Sequence, residues 1–235
     1  MRPSLLPLDA DVTLQLFIAR AAHSILTPIR KRYGIQAIIV PEVEVEVVSH
    51  RRLGPTVGPL LGKARTNGLI KLLDAKSYGD LLRGNSDLEA AGVPHGDIQA
   101  LGRRYNYRVD RGEAYTHATG LLLEQPVASN DMSALRSLDM AGEALPAPVL
   151  RTFDLVFFAN QIAAMTDDEC DEVRKLLLAA GEYLPKAFEH SSFANGLKDF
   201  VPRLLDSKLP CRAGGRFHAK PPAFAEPLAV APLEP

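Results

Sequence analysis

The sequence predicts an α/β fold. Short apolar runs that are typical of strands alternate with segments whose apolar residues recur every three or four positions, as on one face of a helix. The clearest strand is Ile35–Val40. Val127–Ala128 is a short apolar run, long enough for the end of a buried strand, and a helix start follows each of them. Sites of open α/β sheets lie at the carboxyl ends of strands, so acids at these positions are the first candidates for function.

Composition and motifs exclude several classes of protein. The 235 residues are 46% hydrophobic with a net charge of −1, which predicts a substantial core and no global attraction to nucleic acid. Two isolated cysteines, Cys170 and Cys211, argue against structural zinc and predict a reducing, cytoplasmic location. No apolar run is long enough to span a membrane, Asp9 and Asp11 interrupt any signal-like start, and common nucleotide, zinc-protease and hydrolase motifs are absent.

The N-terminal segment predicts a strand followed by one long helix. Ser4–Leu8 is the first strand, and Pro7 suits its end or an edge better than a central position. Asp11–Tyr33 carries a helical apolar stripe that we expect to be disturbed near Pro28 and ended by Gly34.

The residues after Ile35–Val40 allow two interpretations. Glu and Val alternate over Glu42–Val47, which is the period of a strand. Pro41 is a good first residue of a helix, so we predict a helix, on which Glu42 and Glu46 share one face.

Residues 51–111 are rich in glycine, and no long helix is secure there. Shorter helices are predicted within Leu60–Asp74, Leu81–Ala91 and Gly96–Tyr107. The last of these places tyrosines among arginines, a mixture that suits single-stranded nucleic acid and also ordinary packing.

The central stretch Gly112–Leu138 reads as helix, short strand and helix. Glu113 lies in the first helical turn, where an acid also simply favours the helix dipole. Pro126 stops this helix, and Asp131 follows the strand, where it is either a site residue or the N-cap of the next helix.

The C-terminal third predicts a strand, three helices and a tail. Thr166 begins a capping box. The predicted segments are the strand Val149–Phe153, the helices Asp154–Ala164, Thr166–Ala180 and Asn195–Leu205, and a proline-rich disordered tail from Ser207.

The order of these acidic motifs resembles that of the PIN-domain family, metal-dependent nucleases that include the toxins of VapBC-type toxin–antitoxin pairs. The resemblance rests on LLPLDADV with Asp9, IIVPEVEVEVV with Glu46, the GEA of Gly112–Ala114, and VASNDMSAL with Asp131. It is best over residues 35–48 and 112–178, and the chain departs from small toxins in its long 51–111 segment and its C-terminal extension.

The resemblance implies a three-layer αβα fold around a central, mainly parallel sheet. The PIN-like domain would cover residues 1–181 with 51–111 as an insert, followed by a helical extension over 182–206 and the tail 207–235. It implies a metal-dependent endoribonuclease using Mg²⁺ or Mn²⁺, with a catalytically inactive binding or assembly module as the alternative. A different acidic hydrolase or phosphatase is a third hypothesis.

The resemblance also implies the site residues. The expected catalytic residues are Asp9, Glu46, Glu113 and Asp131; the expected metal ligands are Asp9, Asp131, Glu113 and Asp154; the expected substrate contacts are Ser129, Asn130, Arg103 and Arg104. Carboxylates without His or Cys are the set that hard divalent cations prefer, and crowded carboxylates need such a cation. Asp11 remains an alternative to Asp9, Glu42 an alternative to Glu46, and Asp154 either binds metal or caps its helix.

The expected partners are RNA, an antitoxin-like protein and a second copy of the chain, with no membrane. The choice between RNA and DNA stays open. The Phe157–Phe158 pair is either a dimer contact or part of the core.

Overall fold

The structure is a computed structural model that describes residues 5–83, 89, 92–140 and 149–202. The strands are β1 Leu5–Pro7, β2 Gln36–Ile39, β3 Ile70–Leu72, β4 Val127–Ala128 and β5 Val149–Leu150. The helices of the first half are α1 Ala10–Ile18, α2 Ala22–Tyr33, α3 Pro41–Ser49, α4 Gly54–Thr66, α5 Ala75–Arg83 and α6 His95–Tyr105. Those of the second half are α7 Arg111–Leu122, α8 Met132–Met140, α9 Thr152–Gln161, α10 Asp167–Ala179, α11 Lys186–Glu189 and α12 Phe193–Gly196.

The strands form two short parallel sheets that lie side by side. In the first, β2 pairs in parallel with β1 and β3, and in the second β4 pairs in parallel with β5. A parallel bridge between Leu8 and Ala128 joins β1 to β4, so the spatial order is β3-β2-β1-β4-β5. The predicted α/β class with a parallel sheet is therefore confirmed, and all five strands end at one edge.

Different helices cover the sheet. α2 packs on β2 and on α9, whereas α7 packs on β1 and β4 and along α6. This arrangement is compatible with three αβα layers. β1 lies between β2 and β4, and Pro7 is its last residue, which is the strand-end position expected for a proline.

The single helix predicted over Asp11–Tyr33 is wrong, because the chain breaks into α1 and α2. Arg20 takes a left-handed conformation with φ of 57°, and the two helix axes meet at 113°. The expected disturbance at Pro28 does not end α2, which continues to Gly34, a left-handed C-cap with φ of 70°. The break at Arg20 lets both helices bury their apolar faces in the core.

The glycine-rich segment is more regular than its composition predicts. α4 spans Gly54–Thr66 despite Pro59, and the helix predicted over Leu60–Asp74 instead ends at Thr66 and gives way to β3. The predicted helix at Gly96–Tyr107 corresponds to α6, but that at Leu81–Ala91 lies mostly outside the described residues.

The later elements follow the prediction, except near the C-terminus. The predicted helix at Pro41 is α3, and Thr166 caps α10 through the expected capping box with Glu169. The helix expected over Asn195–Leu205 is wrong over its described part, where the single turn α12 ends at Gly196. The proline-rich tail lies outside the described residues.

Residues 182–202 pack into the same core as the sheet. Phe188 is fully buried, stacks on Phe153 and Phe193 with ring centroids 4.7 and 5.4 Å away, and also contacts Phe200. Phe158 is buried against Tyr33, which confirms the core interpretation for that ring.

Within the described ranges, no single helix has the length and apolarity needed to cross a membrane. α1 and α2 together would reach that length and apolarity, but they meet at a sharp bend.

Phe188→Ala should destabilise the whole domain. Removing a fully buried ring leaves a cavity, which typically costs about 3–5 kcal/mol of unfolding free energy. Urea unfolding followed by circular dichroism measures the effect, with the exposed Val201→Ala as control. A change below about 0.5 kcal/mol for Phe188→Ala would show that the extension does not share the core.

Candidate functional site

Asp9 and Asp131 lie at the same edge of the sheet because β1 and β4 are neighbours. The bridge at Leu8 lies directly before Asp9, whose backbone N–H donates to the Ala128 carbonyl at 2.9 Å. Asp131 follows Ala128 after a two-residue turn. Each acid also caps a helix: Asp9 Oδ1 accepts from the Ala10 N–H at 2.7 Å, and Asp131 Oδ1 accepts from the N–H groups of Ser133 and Ala134.

Ser129 links the acids on neighbouring elements. Its hydroxyl is fully buried and donates to Glu113 Oε1 at 3.1 Å, while it accepts from the Asp131 N–H at 3.2 Å. The same hydroxyl lies close enough to the Asp9 carboxyl group to lower its pKa. Ser129 therefore binds Glu113 and the Asp131 backbone and lies beside Asp9.

Glu46 reaches the same region from α3. Its carboxylate accepts a hydrogen bond from the Gly112 N–H at the start of α7, where the helix dipole favours negative charge. A Cβ atom at position 112 would clash with Glu46 Oε2 and press on Val43. A side chain at position 112 would therefore displace the Glu46 carboxylate from its place beside α7.

The carboxyl groups interact strongly because they are buried together. Burial raises the pKa of Asp9 to about 8, with further upward contributions from Asp11 and Glu46. Burial likewise raises the pKa of Glu113 to about 9, with contributions from Asp9 and Asp131. These shifts favour the protonated form of both groups near neutral pH.

Further acids surround this pair. Burial is the largest cause of the raised pKa of both Asp11 and Glu46. Neighbouring negative charges raise it further, and Asp110 contributes to each shift. His50 opposes both shifts. We define the acid cluster as the interacting carboxyl groups Asp9, Asp11, Glu46, Asp110, Glu113 and Asp131.

The acid cluster includes both Asp9 and Asp11, which the sequence offered as alternatives for the first site acid. Asp9 is buried and central, and Asp11 lies at its more exposed rim. Glu46 interacts with the cluster, whereas Glu42 lies 3.7 Å from Arg111. The geometry therefore favours Glu46 over Glu42.

Asp154 forms an ion pair with Arg151. Its carboxylate pairs with the Arg151 guanidinium, with both contacts at 3.0 Å, and accepts the Arg151 N–H at 2.7 Å. This is the capping role that the sequence offered as the alternative to metal binding. The Asn130 side chain also has a structural contact. It accepts a hydrogen bond from the Thr152 N–H and so joins β4 to α9.

Arg103 and Arg104 are exposed in the last turn of α6. The connection 106–110 is short, so the end of α6 lies near the start of α7, which carries Glu113. No described contact joins either arginine to the acid cluster.

Several members of the site were missed by the sequence analysis. Asp110 and His50 carry no recognisable motif. His117 is fully buried, and its Nε2 lies 4.0 Å from Glu113 Oε1, one helical turn away. The Glu113/His117 spacing of four residues is the one signal that could have indicated this contact.

The donor atoms fit a hard divalent cation. The cluster offers carboxylate oxygens and the Ser129 hydroxyl, and burial together with the neighbouring negative charges raises the pKa of Asp9 and Glu113. In the described part of the chain, no three Asp, Glu, His or Cys side chains are already arranged as a metal-binding group.

Comparison of the chain with protein-family models, curated proteins and solved structures found no match. The PIN-like character of the chain therefore stays a prediction based on the resemblance and on the site itself.

The raised pKa of Glu113 predicts that the metal-free protein loses stability as pH rises. The folded state holds this proton up to a pKa of about 9 and the unfolded state only up to about 4.5, so the stabilisation present below pH 4.5 is lost between these values. The loss is about 1.4 kcal/mol per pH unit at most. Glu113→Gln removes this pH-dependent contribution to the unfolding free energy. The unfolding free energy of the variant, relative to that of the wild type, should therefore increase with pH.

Urea midpoints at pH 5, 7 and 8.5 in chelator measure this difference, with the exposed Glu172→Gln as the matched control. A constant difference between wild type and Glu113→Gln at all three pH values would contradict the burial and crowding of Glu113.

Proposed function

We propose that this chain is a metal-dependent, PIN-type endoribonuclease that hydrolyses RNA phosphodiester bonds at the acid cluster. The observation that carries the proposal is the pairing of buried Asp9 and Glu113 around the Ser129 hydroxyl, with both pKa values raised to about 8 and 9. A structural core avoids such a pair, because two like charges out of water destabilise the fold. Perturbed carboxyls at a sheet's carboxyl edge are typical of functional sites.

Asp9, Asp131 and Glu113 are the residues that would hold Mg²⁺ or Mn²⁺. They follow β1 and β4 and open α7, Asp9 and Asp131 both interact electrostatically with Glu113, and all three offer only oxygen ligands. A cation bound there would lower the pKa of a water molecule and offset the negative charge of the phosphate.

The other residues of the site have roles that follow from their contacts. Glu46 is half-buried and fixed by the Gly112 N–H, so its free oxygen can accept the proton of the attacking water. Ser129 orients Glu113, and Asn130 holds β4 and α9 in register. Arg103 and Arg104 supply exposed positive charge for the RNA backbone.

The parallel sheet and the order of the acids along the chain are what the resemblance implies, and they support the PIN-like assignment within the coarser α/β class. An antitoxin-like partner and a homodimer remain predictions of the same resemblance.

Asp131→Asn should abolish metal-dependent RNA cleavage while the protein stays folded. Asparagine keeps an oxygen that can cap α8 but loses the negative charge, so the rate should fall by at least about 100-fold. The measurement is cleavage of a mixed single-stranded RNA pool with manganese, magnesium or chelator, with wild type and the exposed Asp168→Asn tested in parallel.

Cleavage that needs metal and disappears only in Asp131→Asn is the expected result. Cleavage that survives Asp131→Asn would place the chemistry elsewhere. A folded wild type that cuts no RNA with any metal would favour the binding-module alternative.

A further inference from the structure

A cavity of about 360 Å³ opens beside the acid cluster. Its lining includes Asn130, Asp131, Gln15 of α1, Arg136 and Tyr183. This volume is within the range of small-ligand pockets. The cavity therefore offers space for a molecule that also touches the proposed catalytic acid.

Tyr183 is an exposed aromatic ring on a fixed backbone. Tyr183 is 68% exposed, and its backbone carbonyl accepts a hydrogen bond from Gln15 Nε2 at 3.4 Å. Arg52 fixes the preceding residues by donating to the Ala180 carbonyl at 2.7 Å and pairing with Glu182 at 2.9 Å. A solvent-exposed ring held in this way is a ready platform for stacking of a planar group.

Arg136 supplies positive charge to this cavity. Arg151, which also lines it, is neutralised by Asp154. Arg136 is exposed on α8 and forms no ion pair with any described residue. A guanidinium group at this position suits a phosphate, which it can bind with two parallel hydrogen bonds.

The platform lies next to the acids. Tyr183 shares the cavity with Asp131, and its neighbour Glu182 interacts electrostatically with Asp11 of the acid cluster. An aromatic ring, a guanidinium group and a carboxylate thus surround one space. The ring suits a nucleotide base and the guanidinium group suits its phosphate. The carboxylate is one of the groups that would hold the metal ion.

We propose that this cavity binds the nucleotide beside the scissile phosphate of a single-stranded RNA, with its base stacked on Tyr183 and its phosphate bound by Arg136. The assignment rests on the proposed nuclease function. A base inside a duplex is already stacked on its neighbours and cannot lie on Tyr183. The cavity therefore selects unpaired RNA.

Binding of fluorescently labelled RNA to the Asp131→Asn chain with manganese tests the assignment without cleavage. The probes are a short single-stranded RNA and a blunt duplex of the same sequence, followed by fluorescence anisotropy. Adding Tyr183→Ala should weaken single-strand binding about 5-fold to 150-fold, the range for loss of one stacked base. Adding Tyr183→Phe, which keeps the ring, should restore it, and duplex binding should change little.

Arg136→Gln in the same background should weaken single-strand binding and reduce its salt dependence by about one phosphate contact. Leu60→Ala is the control, because this side chain is 42% exposed on α4 and lies outside the cavity. Melting temperatures of all variants exclude unfolding as a cause.

Three results would overturn the assignment: unchanged single-strand binding in Tyr183→Ala, equal losses in Tyr183→Ala and Tyr183→Phe, or a loss in Leu60→Ala alone. Failure of the nuclease proposal looks different. In that case the chain without Asp131→Asn cuts no RNA, yet Tyr183→Ala still weakens binding and the cavity stands as a binding site.

Discussion

The crowding of carboxyl groups at one edge of a parallel sheet is the constraint on which this structure depends. Asp9 and Glu113 are buried within reach of one hydroxyl group, and both have pKa values raised well above those of free carboxyls. Such a pair is stable only if it holds protons or a cation.

Neighbouring elements are shaped by this crowding. β1 and β4 must be adjacent for Asp9 and Ser129 to meet, and the Leu8–Ala128 bridge makes them so. Gly112 has no side chain where the Glu46 carboxylate approaches α7. The aromatic cluster around Phe188 anchors the C-terminal extension, which brings Tyr183 beside the acids. A segment outside the predicted domain boundary at residue 181 thus contributes to the proposed substrate cavity.

The sequence indicated the acids more reliably than the elements that carry them. Asp9 and Asp131 were identifiable because each follows an apolar strand, and Glu113 because it opens a helix after a glycine. The break at Arg20 was not predictable, since no glycine or proline marks it. β3 is too short for a period to show, and Arg151 binds Asp154 through a local pair that any helix start could contain. Tyr183 carries no pattern at all, because its position depends on distant contacts with Gln15 and Arg52.

Calorimetric titration of the wild-type protein with manganese at pH 7, in two buffers of different ionisation enthalpy, tests the central claim most directly. Because Asp9 and Glu113 favour the protonated form at this pH, metal binding should release at least one proton, and the Asp9→Asn/Glu113→Gln double variant should not bind. Binding that releases no proton, or binding of equal strength in the double variant, would contradict the account.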